Sequence, residues 1–531
     1  MAVFGIDLGT TFSCIARFDE KFGKVDIISN TEGDLSTPSV VYIKDNKEVI
    51  VGKAAINQLK GQNAANVVSY AKRMIADDSR WSDNGFSEYP KFKGEQLTPI
   101  HISSMILKKL TKDNVNIQEL KRGEKIQCVI TFPAYFSNEA KERTKQAGEM
   151  AGLDIIDMIE EPVAAALSYG LDNSCKNETV LVYDLGGGTF DVSVVQFDEN
   201  GNGEVKEKKG NHVLGGFDWD KKVGFYLWEQ YVKKTKYKEI KLTEDDFKNP
   251  ESLDLNKQRK VNAFLQFAQN AKHNLTEMEE HEQECDTDGT LISITRQEFD
   301  ELTSSLLNIT MGLTDEVLKK SSQITTVLLV GGSTLMPQVK NELEARFPQF
   351  KGKIKVYEPH LAIAKGAAML AAIRADLYSQ FGAIPVIKNI ASKSYGLELS
   401  HVDDNYNPID NYIHVVIKRG TPLPAKKGEE VYTISPNTLR MPIKIYELNS
   451  DQKEARIEQG IRIGDVAYLV FDNPVPRNTL ATVIFEVSEA GILTVTAKSQ
   501  VDSGHVKVEI KLKGLLDAAA LDKGAALLAK C

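Results

Sequence analysis

The apolar positions along the chain fall into two textures. Up to about residue 384, short buried runs alternate with helical stretches. Val3-Phe-Gly-Ile-Asp7 is an apolar strand closed by a carboxylate and a glycine turn, and the run through Phe18 reads as a second strand. Val180-Leu-Val-Tyr-Asp184, then Gly186-Gly-Gly, then the run to Phe197, repeats that plan. Each copy places an Asp at the end of a strand, followed closely by Gly, so an internal duplication into two similar lobes is the simplest reading. Ser103–Leu110, Asn138–Ala151 and the Ala-rich 362–375 have helical spacing, which sets the class as α/β.

After 384 the chain reads as short alternating strands. Thr482–Val487 and Ile492–Ala497 flank Ser488-Glu-Ala-Gly491, a hairpin signal with Gly where a positive φ is expected. Val506–Leu512 alternates strictly, as a half-buried strand does. A small antiparallel β domain is predicted, followed from Leu515 by an Ala/Leu-rich stretch long enough for one short helix.

Composition narrows the class. Hydrophobic residues are 42% and charged residues 26% of 531, a globular balance. The net charge of −9 gives no reason to expect nucleic-acid binding, and basic groups such as Lys206-Glu-Lys-Lys209 come with acids nearby. Cys14, Cys128, Cys175, Cys285 and Cys531 are isolated, so neither a zinc site nor a disulfide framework is expected and a reducing compartment fits. A carboxylate at residue 7 interrupts any signal-peptide core, no run of about 18 apolar residues offers a membrane span, and the expected location is cytoplasmic.

The two Asp-Gly turns carry the candidate chemistry. Phosphate oxygens are held by backbone amides in small, Gly-rich turns, and a hydrated Mg²⁺ is held by carboxylates. Asp7-Leu-Gly9-Thr10-Thr11 and Asp184-Leu-Gly186-Gly187-Gly188-Thr189 supply both. A third buried strand ends in Gly331-Gly332-Ser333-Thr334, where the backbone could approach a nucleoside. One such turn is usually structural; three, two of them with Asp at the same offset, are far more specific. A GxxxxGK[ST] phosphate loop is absent.

These three segments resemble the phosphate and adenosine motifs shared by actin, sugar kinases and the heat shock protein 70 family. Asp7–Ser13, Val182–Asp191 and Val330–Thr334 are similar to the chaperone versions, as are Tyr70-Ala-Lys72-Arg73, Thr131-Phe-Pro133-Ala-Tyr-Phe136 and Glu160-Glu161-Pro162-Val-Ala-Ala-Ala. The resemblance runs from Val3 to about Gly514. It implies an actin-like (ribonuclease H-like), two-lobed α/β ATPase domain at 1–383, a linker at 384–391, an antiparallel β-sandwich peptide-binding domain at 392–514 and a short helical tail at 515–531.

By the same resemblance Lys72, Glu161, Thr189 and Asp191 are the catalytic candidates, and Asp7, Asp184 and Asp191 the metal candidates. Gly9, Thr10, Thr11, Phe12, Gly186, Gly187, Gly188, Thr189, Gly215, Gly216, Lys272, His273, Thr276, Gly331, Gly332 and Ser333 would hold ATP or ADP, with Mg²⁺ and K⁺. Pro133 matches an interdomain switch. Leu397, Leu399, Tyr432, Ile443 and Ile445 are candidates to line a peptide pocket, with the small Ser400 and Ser435 leaving the groove open.

The departures from the pattern matter as well. Where the family continues into a long helical lid only Leu515–Cys531 is present here, so a lidless or truncated member is expected. The linker, Val386-Ile-Lys-Asn389-Ile390, lacks the usual acid, and Asp157 stands where the family uses a base to meet a J-domain. His273, Gln269 and His360 replace charged residues around the adenosine. The implied function is an ATP-dependent chaperone whose hydrolysis drives capture and release of extended apolar segments, with unfolded polypeptide, a J-domain co-chaperone and an exchange factor as partners. The second reading is a regulatory or ribosome-associated member that binds ATP without peptide coupling. A small-molecule kinase on the same fold is a distant third.

Overall fold

A computed structural model describes residues 2–529 except 78–79, 82–85, 115–124, 174, 249, 286–287, 322, 382–385, 404–406, 451, 500 and 502–514. The strand expected at Val506–Leu512, the boundaries near 384 and 514, and Cys531 fall outside the described residues.

Two sheets carry the duplicated segments, and their topology repeats. In the first, Val3–Asp7, Phe12–Asp19 and Lys24–Ile27 form an antiparallel meander. Gln127–Phe132 pairs parallel to Val3–Asp7, and Asp154–Glu160 parallel to Gln127–Phe132. In the second, Thr179–Leu185, Phe190–Phe197 and Gly203–Asn211 form the meander, and Thr326–Val330 and Ile354–Val356 add in parallel on the other side. Both Asp-Gly turns are thus the first hairpin of a sheet, and the third glycine turn closes a neighbouring parallel strand.

The sheets are joined by an exchange of helices. Helix Glu161–Asn173 leaves the edge of the first sheet and packs on the second, while Ala362–Arg374 follows the edge of the second and packs on the first. The helices meet face to face through small side chains, since a Cβ on Gly366 would lie 1.9 Å from the Ala164 carbonyl oxygen, and the first strand approaches as closely, with a Cβ on Gly5 1.9 Å from the Ala368 nitrogen. Ala164, Ala165, Ala166, Ala367 and Ala371 fill the seam without exposure. The Ala-rich texture of 362–375 therefore serves close approach as much as helix propensity.

The second region is a two-layer sandwich. Five strands (Glu454–Arg456, Pro408–Ile417, Ser394–Val402, Thr438–Leu448 and Gly460–Val475, in that spatial order) face a three-stranded sheet of Ala425–Tyr432, Leu480–Val487 and Leu493–Ser499. The turn between the last two carries Gly491 at φ +74°. Leu397, Ile443, Ile445, Phe471, Val483 and Phe485 form the core between the layers.

Both ends of this region rest on the first lobe. Helix Asn138–Met150, capped by Ser137, lends Lys141 Nζ to the Gly491 carbonyl (2.9 Å) and accepts from Leu493 N at Asn138 Oδ1 (2.8 Å). Helix Ala518–Leu528 lies against the same lobe, with Leu528 inside its core and the Gln146 amide bonded to both backbone groups of Leu516. Glu160 and Lys208, each 1% exposed, pair at 2.7 Å, and Lys208 Nζ also donates to the linker's Asn389 Oδ1 (3.0 Å).

The helix seam sets a test. Gly366→Ala drives a methyl into fixed backbone and is expected to lower stability by about 1–3 kcal/mol in urea titration. Gly312→Ala, in the interior of helix Arg296–Leu318 with open space around it, is expected to raise stability by about 0.8–1 kcal/mol.

Candidate nucleotide site

The two Asp-Gly turns and the third glycine turn enclose one cavity of about 360 Å³, within the range of small-ligand sites. Asp7, Gly9, Thr10, Thr11, Phe12, Lys72, Glu161, Asp184, Gly186, Gly187 and Thr189 line one end; Lys272, His273, Thr276, Gly331, Gly332 and Ser333 line the other. Among the expected contacts, Gly188, Gly215, Gly216 and Asp191 lie behind this lining. Gly188 sits against Thr10, and Gly215 against Gly188, where added Cβ atoms would approach to 2.5 Å.

Each turn is held by hydrogen bonds from its own lobe. Ser39 Oγ donates to the Gly9 carbonyl (2.8 Å), and Ser333 Oγ to the Gly186 carbonyl (3.0 Å). Gly216 N and Phe217 N donate to the carbonyls of Gly186 (2.9 Å) and Gly187 (2.8 Å). Gly331 takes φ +82° and passes so close to Leu185 that a Cβ would lie 2.4 Å from its carbonyl oxygen, so only glycine fits there.

The phosphate end is crowded with acid. Burial, then Glu161, pushes Asp7 up to about 7, with Lys72 and a hydroxyl from Thr131 (3.3 Å) working in the opposite direction. Burial and Glu161 likewise push Asp184 and Asp191 well above the usual carboxylate range. Lys72, 5% exposed, pairs with Glu161. Asp191 Oδ1 is buried with no hydrogen-bond partner among the described residues. No three of these side chains among the described residues close directly on a metal position, so the acids present fit a hydrated Mg²⁺ held through its waters.

The adenosine end is nearly neutral. Lys272 Nζ is spent on Asp220 (2.7 Å) and the Gly216 carbonyl (3.0 Å). His360 packs on Gly332, where a Cβ would lie 2.3 Å from the ring. Burial, then Lys272 and His360, pushes His273 down to about 4. Leu335, Met336, Pro359 and Ile363 complete the wall. Sequence reasoning missed these four, together with Cys14 and Ser36; Leu335 and Met336 directly follow the third glycine turn, a signal that was readable.

Elsewhere the expected residues divide. Pro133 is buried at the end of strand Gln127–Phe132, two residues beyond Thr131. Asp157 Oδ2 accepts from Arg374 Nε (2.6 Å), and Arg374 also meets Glu489 of the β region. Leu397, Ile443 and Ile445 are 2%, 2% and 1% exposed in the sandwich core, so they present no surface to a peptide in this structure. Leu399 is half-buried and Tyr432 is 52% exposed. Leu397 and Leu399 share one face of their strand and pack on the same core, and exposure grows toward the strand's end instead of alternating.

Comparison with known proteins agrees with this architecture. The Hsp70 protein family model matches residues 3–526. A heat shock 70 kDa protein 2 of Paracoccidioides lutzii is 34% identical over 525 residues, covering 93% of this chain and 74% of its own length. A chaperone protein DnaK of Thermotoga petrophila is 34% identical over 518 residues, covering 93% and 78%. The chain belongs to the Hsp70 family. It is an ATP-dependent molecular chaperone with ATPase activity; it binds ATP and ADP, typically with Mg²⁺, and acts on unfolded polypeptide alongside co-chaperones. No described helix is long and apolar enough to cross a membrane.

The neutral adenosine end is testable by NMR. The His273 imidazole is expected to titrate near pH 4, with no inflection between pH 6 and 8. Because Lys272 contributes to the depression, Lys272→Met is expected to raise that midpoint. A wild-type midpoint near 6.5 would contradict this environment.

Proposed function

We propose that the Lys72–Glu161 pair is the hydrolytic centre, and the observation that carries this is its convergence with both Asp-Gly turns in one cavity. Glu161 orients the attacking water and receives its proton, while Lys72 offsets the charge that builds on the departing phosphoryl oxygens. Amides and hydroxyls of Thr10, Thr11 and Thr189 hold the phosphates. Asp7 and Asp184 hold metal-bound waters, and Asp191 positions the water or a K⁺ ion. Asp7 and Asp184 are the residues that would hold Mg²⁺ through its waters, and the ion would supply positive charge to offset that of the phosphates.

The fold around it is read as an actin-like ATPase domain at 1–383, a linker at 384–391, a β-sandwich substrate domain at 392–514 and a tail at 515–531. The peptide groove is assigned to the end of the sandwich, where Leu399 and Tyr432 stand with the exposed Ile434 and Leu439. Pro133 links the phosphate end to the docked β domain. A J-domain protein and an exchange factor are the co-chaperones, the first meeting an Asp157–Arg374 pair and a linker with Asn389 in place of an acid. Buried thiols at Cys14, Cys128, Cys175 and Cys285 suit a reducing cytoplasm. A purely regulatory role lacks comparable support, since the retained acid–base pair serves hydrolysis.

Lys72→Ala is expected to lower single-turnover hydrolysis by at least 100-fold, on the order of a lost charge-stabilising group, while ATP still binds. Lost binding with a normal rate for the bound fraction would refute the assigned role. For coupling, a fluorescent apolar peptide is expected to dissociate about tenfold or more faster in ATP, Mg²⁺ and K⁺ than in ADP. Equal rates with peptide clearly bound would favour the regulatory reading.

A further inference from the structure

Tyr70 and Phe217 face each other across the cleft between the lobes. Their ring centroids are 3.7 Å apart with planes 20° from parallel. Tyr70 belongs to the first lobe and precedes helix Ala71–Ala76, taking φ +59°, a left-handed conformation that a bulky residue adopts only when its surroundings hold it. Phe217 belongs to the second lobe, at the start of helix Gly216–Thr235, with its amide on the Gly187 carbonyl at 2.8 Å. Each ring is therefore fixed to the machinery: Tyr70 lies two residues from Lys72, and Phe217 is bonded directly to the second phosphate turn.

The contact is reinforced on both sides. Arg73 donates to Asp218 (3.1 Å) and to the Val213 carbonyl, again from lobe to lobe. Lys221 Nζ lies 4.4 Å from the Phe217 ring centroid. Behind the stack is a second cavity of about 340 Å³, which shares Thr10, Thr11 and Phe12 with the nucleotide cavity. Further out the lobes meet through hydrogen bonds to backbone, from Arg259 Nε to Lys60 O (3.2 Å) and from Asn262 Nδ2 to Leu59 O (3.1 Å). Water can replace those bonds as the cleft opens; nothing in water replaces a stacked aromatic pair.

We propose that the Tyr70–Phe217 stack is a cross-lobe clasp that positions Lys72 and limits the rate at which ADP leaves. Lobe separation must unstack the rings, and closure must restack them before Lys72 reaches the phosphates. Tyr70 is thus a positioning residue. The proposal rests on the reading of the Lys72 site above.

The test is stopped-flow release of a fluorescent ADP analogue, with single-turnover hydrolysis measured on the same proteins. Tyr70→Asn keeps a side chain that tolerates the left-handed backbone and removes the ring. It and Phe217→Ala are each expected to speed ADP release about tenfold and to slow hydrolysis. The double variant is expected to add little to the larger single effect, and Tyr70→Phe to behave as wild type. Unchanged release in both single variants, additive effects in the double, or a Tyr70→Phe variant as impaired as Tyr70→Asn overturns the clasp. So does a lowered melting temperature with wild-type release, which marks a purely structural role. If Tyr70→Asn does not fold, Phe217→Ala and Phe217→Leu give the same readout. A wild-type chain that fails to bind ADP removes the site reading and the clasp together; normal ADP binding with unchanged release removes the clasp alone.

Discussion

Carboxylates from Asp7, Asp184, Asp191 and Glu161 act on one another in a buried cleft beside the ammonium of Lys72. That surplus of negative charge is the constraint around which the ATPase half is organised. Buried charge of one sign is unstable unless it is protonated or matched by a cation. The upward push on Asp7, Asp184 and Asp191 is the first response, and a divalent cation is the second. Side chains arranged this way are poor ligands for a phosphate and good ligands for the metal that accompanies one. The glycine turns answer the remaining need, because amides can approach phosphate oxygens where a Cβ would block them.

The same constraint reaches the second domain through adjacent residues. Glu161 faces the cavity; Glu160, its neighbour, faces away and pairs with Lys208, which also holds Asn389 of the linker. Both members of that pair are almost fully buried, so separating them leaves a desolvated charge, and the arrangement is held or broken as a unit. Lys141 adds to this interface: burial pushes its ammonium down to about 8, and it bonds the turn carbonyl of Gly491. One peptide bond separates a carboxylate that lines the cavity from one whose Lys208 partner also holds Asn389. The β region is thus held to the first region by buried ion pairs and hydrogen bonds rather than by a solvated surface contact.

Much of this was legible in the sequence, because the signals were short and local. An Asp at the end of an apolar strand followed by glycines describes its own geometry, and the duplication announced two lobes. The Ala-rich 362–375 announced a helix, although Gly366 showed its reason only once Ala164 lay against it. Other features depend on register. Lys206-Glu-Lys-Lys209 stands out in the sequence only as a basic cluster with acids nearby, yet a shift in pairing between Val194 and Val195 places Glu207 and Lys208 inside while Lys206 stays out. Leu397, Ile443 and Ile445 read as pocket residues and instead fill the sandwich core, since an apolar strand residue does not reveal which layer it faces. Tyr70 and Phe217 are 147 positions apart in sequence, and only the folded chain brings them into contact.

The ion pairs around the cavity explain what must hold a nucleotide there. Lys72 is committed to Glu161, Lys272 to Asp220 and Arg73 to Asp218. The two imidazoles at the adenosine end are pushed toward neutrality by burial. None of these basic groups offers an unmatched charge to a polyphosphate. Affinity then comes from backbone amides, apolar contact with the base and the metal, and a variant that strips one carboxylate should act chiefly through the metal. In the hydrolytic reading proposed above, charge developing on the phosphoryl group would draw Lys72 away from Glu161, and closure of the lobes would set its distance from the phosphates.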